Sequence, residues 1–286
     1  MSHPAVAILP YGRRLGPALS TVPVSDLIWP LGCPERLRGG RVGELTDTDH
    51  LLVYPRTDMH FRRRWGTRAR VSLIMAEPEV IHGRHMKLLR LTWRRFHRIL
   101  TFNEGLLQAV PNAVLFPLGT TWVPEWRDLP LDKIAMCSLI ASAKRDSSGH
   151  KLRHGVVDWA RSTGQDVAVM GRGYIPFEHK ADGLAPYRFS VVIENVRETN
   201  YFTEKLMDAV LCNTVPIYWG CPNLERFMDP EGIIQCQSEA DLRRAIKAIS
   251  EEDFRARLPH LRRLQGELEP YIDIDRRAAQ AIMNSL

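Results

Sequence analysis

Short apolar runs rich in β-branched residues alternate with helical segments along most of this chain, and the alternation limits the folds that it can adopt. Such a run is typical of a strand buried on both faces of a parallel sheet. The first 125 residues predict five strands, at Val6–Leu9, Leu51–Tyr54, Val71–Met75, Ile99–Phe102 and Ala113–Phe116. Apolar residues at helical spacing predict a helix over Gly83–Phe96.

The same alternation resumes after residue 132. It predicts five further strands, at Ile134–Ala141, Val167–Met170, Arg188–Glu194, Val215–Trp219 and Ile233–Cys236. The helices predicted here are Gly149–Ser162, Thr203–Cys212, Glu239–Ile249 and the whole of 251–286. Alternating strands and helices indicate parallel sheets wrapped by helices.

A proline-containing segment, 120–132, interrupts the alternation and predicts a linker. We therefore expect an α/β protein with two doubly wound, Rossmann-like domains, 1–125 and 132–286, that face a central cleft. Ligands of such sheets bind beyond the carboxyl ends of the strands. The helical tail after Glu251 is expected to pack back on the first domain or to mediate self-association.

The formal net charge is +6, and arginines of one stretch dominate it. The stretch contains Arg62, Arg63, Arg64, Arg68, Arg70, Arg84, Arg90, Arg94, Arg95 and Arg98. A basic face of this kind binds nucleic acid, an anionic membrane or an anionic substrate, or is only a solvated surface. Because no nucleic-acid-binding motif accompanies it, we expect no nucleic-acid partner.

The five cysteines are odd in number and include no C-x-x-C pair, so free and partly buried thiols are expected. No H-E-x-x-H cluster predicts a metal site. No apolar run approaches the roughly 20 residues of a membrane-spanning helix, and the start of the chain lacks a signal-peptide pattern. A cytoplasmic location is expected, with peripheral contact at the inner face of a bacterial membrane left open.

Residues 187–220 carry the most informative chemistry. A predicted strand delivers Glu194 and Asn195 at its carboxyl end, and Thr203 is placed to cap the next helix. Glu204 and Lys205 then occupy the first turn of that helix. The unpaired N–H groups of a first turn and a nearby cation suit a diphosphate.

The other side chains of this segment suit the rest of a nucleotide sugar. The Glu204 carboxylate can accept hydrogen bonds from the paired hydroxyls of a ribose. The Tyr201 ring can lie against a sugar or a base. The physical alternative is an ordinary capped helix with a charged first turn.

The segment resembles glycosyltransferase family 10, the α-1,3/4-fucosyltransferases. The resemblance is carried by Glu194-Asn195, Tyr201-x-Thr203-Glu204-Lys205, Asp208-Ala209 and Val215-Pro-Ile-Tyr-Trp-Gly220. It is close over about 138–237 and weaker back to about Val71. It implies a GT-B fold whose C-terminal domain binds GDP-fucose, with donor contacts from Glu194, Asn195, Tyr201, Glu204 and Lys205.

The family also places an arginine on the pyrophosphate, at the start of the helix after the first strand of this domain. The resemblance favours Arg153 for that role, with Lys144, Arg145 and Lys151 as alternatives. Ser142 is expected to add a contact nearby.

The general base of the family is a glutamate that follows a strand of the N-terminal domain. Glu77 is the first candidate here, because it follows the predicted strand Val71–Met75 at its carboxyl end. Glu79 is the second candidate, because the spacing between the glutamate and Pro78 differs from the family pattern. The resemblance implies an inverting transfer of L-fucose from GDP-fucose to a glycan hydroxyl. No Asp-x-Asp pair occurs in the donor segment 187–220, so a divalent metal is not required. Another GDP-sugar donor and an anionic or lipid-linked acceptor remain open.

Overall fold

The computed structural model describes residues 4–130 and 132–285, so the first three residues, part of the start without a signal-peptide pattern, lie outside the described residues. Contacts divide the chain into two compact units. The first unit runs to Pro117 and includes the segment that begins at Asp273, and the second is Leu118–Ile272. The segment predicted as a linker thus belongs to the second unit. That the units face a cleft stays a prediction.

The first unit contains a five-stranded parallel sheet in the order β1-β2-β3-β4-β5. Its strands are β1 (Val6–Ile8), β2 (His50–Val53), β3 (Arg70–Met75), β4 (Ile99–Thr101) and β5 (Ala113–Leu115). Its helices are α1 (Glu79–Thr92), α2 (Glu104–Ala109) and α7 (Ile274–Met283). All five strands predicted for this region are confirmed.

The two faces of this sheet are covered by different parts of the chain. Val71 and Leu73 of β3 pack in the cluster that contains α1 and α2. Ile74 points to the other face and packs in the cluster that contains Ala278 and Ile282 of α7. Because the strand order never reverses, right-handed crossovers cover only one face. The second face is covered by a helix from the far end of the chain.

The predicted bounds of α1 were wrong. The helix begins at Glu79 rather than Gly83, with Pro78 at the N-cap position, and it ends at Thr92 rather than Phe96. Residues 93–95 form a 3₁₀ turn. A proline at a helix start removes no hydrogen bond, because the first N–H groups have no partner inside the helix.

The second unit also contains a five-stranded parallel sheet, in the order β10-β9-β8-β6-β7. Its strands are β6 (Ala135–Ile140), β7 (Ala168–Met170), β8 (Tyr187–Ile193), β9 (Val215–Trp219) and β10 (Ile234–Gln235). Its helices are α3 (Ser148–Ser162), α4 (Glu204–Leu211), α5 (Glu239–Ala248) and α6 (Glu251–Leu268). The order reverses between β6 and β8, which makes their carboxyl ends a topological switch point, the usual ligand site of such sheets.

All five cysteines are free, and four of them are buried, as predicted. In the described part of the chain no helix combines the length and apolar character needed to span a membrane.

Candidate functional site

The carboxyl ends of β6 and β8 meet the start of α3. The Ser147 hydroxyl caps α3 by accepting from the backbone N–H of His150 (3.1 Å). The Gly149 N–H donates to the carbonyl of Asn195 (2.9 Å). A Cβ atom on Gly149 would lie 1.8 Å from the carbonyl oxygen of Glu194. Only glycine therefore allows α3 to start this close to the end of β8.

Arg153 is brought to the same place by the second turn of α3. Its Nε and Nη2 atoms donate to the carbonyl of Ile193 at 2.9 and 2.6 Å, and Nη2 also donates to Asn195 Oδ1 at 3.0 Å. Burial lowers the pKa of the guanidinium, although Glu194 opposes this. Arginine keeps its charge even so, and the planar group is held rigidly at the switch point.

The alternatives to Arg153 occupy different surroundings. Lys144, Arg145 and Lys151 are exposed, and of the four cations only Arg153 is bonded to the end of β8. Ser142 is half-buried after β6, and its hydroxyl accepts weakly from the N–H of Lys144 (3.4 Å).

Glu194 is wholly buried and fixes the start of α4. Its carboxylate accepts from both the backbone N–H and the hydroxyl of Thr203, each at 2.8 Å. Burial raises the pKa of Glu194, and the Lys205 ammonium partly opposes this. The structure thus gives Glu194 a supporting position beneath the surface, and the donor contact predicted for it stays a prediction.

Thr203 caps α4 as predicted, since its hydroxyl accepts from the Lys205 N–H (3.3 Å). Lys205 Nζ lies 3.1 Å from Glu204 Oε1 and 3.7 Å from Glu194 Oε2. Burial would lower the pKa of Lys205, but the two carboxylates outweigh it and raise the pKa. The Lys205 side chain is 26% exposed, so its cation can meet a ligand.

Glu204 is held ionised by two cations. Burial alone would raise its pKa, but Lys205 and Lys180 outweigh burial and lower it. An ionised carboxylate at this position can accept two hydrogen bonds from neighbouring hydroxyls of a ligand.

The loop between β8 and α4 is fixed by a pair of asparagines. Asn200 has a left-handed backbone (φ 62°), its N–H donates to Asn223 Oδ1 (2.9 Å), and Asn223 Nδ2 donates back to Asn200 Oδ1 (3.0 Å). Asparagine tolerates this conformation better than most residues. The neighbouring Tyr201 is only 1% exposed, so its ring lies inside the unit. Its predicted contact with the donor stays a prediction.

Lys180 completes the charge network, although no sequence motif marks it. Its Nζ lies 2.7 Å from Asp208 Oδ2, 3.8 Å from Glu204 Oε1 and 4.7 Å from the centre of the Trp122 ring. Asp208 also accepts from the Thr121 hydroxyl (2.6 Å). Asp208 lies four residues after Glu204, so both carboxylates project from one face of α4 and share the cation.

Replacing Lys180 with methionine is expected to lower the free energy of unfolding by about 3 to 5 kcal/mol, because it leaves Asp208 buried without its cation. Urea unfolding measures the loss. The double variant Lys180→Met/Asp208→Leu should regain most of the lost stability, and an equal loss in the double variant would contradict an ion-pair origin.

In Lys180→Met, Glu204 also loses a neighbouring cation, so the pKa of Glu204 should rise. As the pH is lowered, ligand binding that requires the ionised Glu204 carboxylate should therefore be lost at a higher pH in this variant than in the wild type.

A cavity of about 270 Å³ opens on the same edge of the sheet, beyond β9 and β10. It is lined by Arg197, Tyr218, Gly220, Cys221, Pro222, Glu225, Gln235, Cys236 and Gln237. The lining offers carboxylate, amide and guanidinium groups that can pair with a flat polar ligand.

The two base candidates lie in the first unit. Glu77 is half-buried, two residues beyond the carboxyl end of β3, and Glu79 is the exposed first residue of α1. Glu79 also borders a cavity of about 310 Å³ with Arg90 and Asn103. The position of Glu77 at a carboxyl strand end agrees with the place where such sheets present reactive groups. Within the described residues, no three His, Cys, Asp or Glu side chains are grouped to hold a metal ion.

Solved structures share the fold of the chain. An α1,3-fucosyltransferase with GDP-fucose superposes with a TM-score of 0.51 and 17% identity, over 82% of this chain and 82% of that one. A variant of S. aureus TarM in complex with fondaparinux, α-GlcNAc-glycerol and UDP gives a TM-score of 0.55 and 9% identity, over 84% of this chain and 54% of that one. The predicted GT-B class is confirmed.

Two fucosyltransferases resemble part of the chain in sequence. The α-(1,3)-fucosyltransferase FucT of Helicobacter pylori is 32% identical over 72 residues, which are 25% of this chain and 15% of the relative. An α-(1,4)-fucosyltransferase of Arabidopsis thaliana is 36% identical over 58 residues, 20% of this chain and 14% of the relative. The matches thus span about one seventh of the length of these relatives.

The family model of the glycosyltransferase family 10 (fucosyltransferase) C-terminal domain matches residues 132–255. The match includes the cap of α3, the end of β8 and the first turn of α4, which carry the site. Over these residues the chain is similar to the C-terminal domain of glycosyltransferase family 10.

Proposed function

We propose that the protein is an inverting glycosyltransferase that moves L-fucose from GDP-fucose to a hydroxyl of a glycan, as an α-1,3-fucosyltransferase. One observation carries the proposal. Arg153 of α3, Asn195 at the end of β8 and the neighbouring Glu204 and Lys205 of α4 gather at the topological switch point of a family 10 domain. Titration calorimetry with GDP, GDP-fucose, other GDP-sugars and UDP-sugars tests it.

The donor roles follow from charge and geometry. Lys205 and the N-terminus of α4 neutralise the diphosphate, and the rigid guanidinium of Arg153 adds a second cation. Ionised Glu204 accepts from the ribose hydroxyls. The cavity beyond β9 and β10 lies on the same edge and has a polar lining that suits the guanine base.

In the reaction, the acceptor oxygen attacks the anomeric carbon from the face opposite GDP. The bond between that carbon and the phosphate oxygen breaks, and GDP leaves with the electron pair through a transition state with positive charge on the sugar. The acceptor proton goes to Glu77, with Glu79 as the second candidate for the base. A β-linked donor then gives an α-L-fucosyl product. We propose that these groups suffice without a divalent metal.

The acceptor is proposed to be a glycan that is anionic or lipid-linked, because the arginine-rich stretch belongs to the first unit. The proposed location is the cytoplasm or the inner face of a bacterial membrane, where the protein would take part in glycan biosynthesis.

The alternative donor is another GDP-sugar, since the groups that hold the nucleotide do not discriminate between sugars. Equal affinity for GDP-fucose and other GDP-sugars, with faster turnover of one of the others, would favour it. Binding of UDP-sugars in place of GDP and GDP-sugars would contradict the assignment of this site to a GDP-sugar donor.

A further inference from the structure

The positive charge of the chain is concentrated around one helix of the first unit. Residues 59–98 contain eleven Lys and Arg side chains and two carboxylates, a net charge of +9 against +6 for the whole chain. Donor chemistry does not need this charge, because the proposed donor groups all lie in the second unit. The donor site therefore does not account for this charge.

Helix α1 displays part of this charge as a single exposed stripe. Met86 and Leu89 are buried against the sheet. Residues on the opposite side recur at spacings of four, three and four, as one helical stripe requires. The stripe consists of Val80, Arg84, Lys87 and Leu91.

Large apolar side chains lie exposed among these cations. Leu91 is 81% exposed and Val80 is 60% exposed, at the two ends of the stripe. The exposed ring of Phe61 lies near the end of α1, because the preceding His60 is hydrogen-bonded to Thr92 (2.8 Å). We call Phe61, Val80, Arg84, Lys87 and Leu91 the α1 face.

The cations of the α1 face are available to a partner. Arg62 is paired with Asp58, whereas neither Arg84 nor Lys87 forms an ion pair within the described residues. Unpaired cations retain their full attraction for an external anion, in a manner that salt weakens.

We propose that the α1 face binds the surface of a membrane that contains anionic lipids. Cations alone would equally suit nucleic acid or a soluble polyanion. The exposed aliphatic side chains of Val80 and Leu91 distinguish the partners, because they gain little from nucleic acid but insert into the boundary between headgroups and acyl chains. Attraction to anionic headgroups then adds to this insertion.

Vesicle flotation with the full chain tests the proposal. We expect binding to phosphatidylcholine vesicles that contain phosphatidylglycerol, weaker binding in high salt, and little binding to phosphatidylcholine alone. The variant Arg84→Gln/Lys87→Gln should lower the partition coefficient by about tenfold or more. Leu91→Ser should lower it by about tenfold through lost insertion.

Matched controls come from the second unit. Ile134→Ser removes an aliphatic side chain that is 82% exposed, and Lys247→Gln/Arg262→Gln removes two exposed cations that form no ion pair within the described residues. Both should bind vesicles as the wild type does. Equal losses in the controls, full competition by free glycerol 3-phosphate, or preference for RNA over vesicles would overturn the proposal.

The proposal is independent of the donor chemistry. GDP affinity measured by calorimetry should be unchanged in the α1-face variants, because none of the altered residues lies in the second unit. Vesicle binding without GDP binding would leave this proposal standing and refute the proposed function. GDP binding without vesicle binding would do the reverse.

Discussion

Replacing Lys205 with alanine is expected to lower kcat/KM for GDP-fucose by about 100- to 1,000-fold. The Lys205 ammonium is the exposed member of the network with Glu194 and Glu204. Charge on the leaving diphosphate grows as the bond to fucose breaks, so the loss should appear in kcat as well as in GDP affinity. Steady-state kinetics and calorimetry measure the two separately.

Two further variants serve as comparisons for Lys205→Ala. Lys205→Arg keeps the charge and should retain more activity than alanine, although the larger planar group will not reproduce every contact. Lys247→Ala removes an exposed cation from α5 and should change kcat/KM by less than about twofold. Wild-type kinetics in Lys205→Ala would refute the donor site.

Replacing Glu77 with glutamine is expected to lower kcat by about 100- to 10,000-fold, the usual contribution of a general base. Glutamine preserves the size of the side chain but cannot take up the acceptor proton. Because Glu77 lies in the first unit, GDP affinity should stay at the wild-type value.

The matched comparison for Glu77 is Glu79→Gln, two residues later at the exposed start of α1. We expect this variant to retain kcat within a few-fold. If Glu79→Gln is the inactive one, the base assignment moves by two residues and the donor site is unaffected. Full activity in both variants would remove the proposed acid–base step from the first unit.

The sequence predicts the strands well because buried parallel strands appear as uninterrupted apolar runs, as in Val71–Met75. It does not predict their order. The absence of a reversal in the first sheet leaves one face open, and the sequence does not show that α7 covers it. The bounds of α1 were predicted wrongly for a local reason. Pro78 is compatible with a helix start, and the glycine and histidines in the first two turns interrupt the apolar pattern that predicts a helix.

The site was predictable where its residues are close in sequence. Thr203, Glu204 and Lys205 form one capped turn, and the structure places them so. Lys180 and Asn223 were missed because each reaches the site from more than twenty residues away, through the topology of the sheet. The burial of Glu194 and Tyr201 was missed for a related reason, since a polar side chain after a strand gives no sign of its depth.

The close approach of α3 to β8 has a consequence for engineering. The separation is set by the hydrogen atom of Gly149, and Arg153 depends on it to reach the Ile193 carbonyl. A library intended to admit a bulkier donor sugar must leave both positions unchanged. Substitutions should instead be made in the exposed connection 143–146 and around Arg197, where a larger side chain extends into solvent rather than against the main chain.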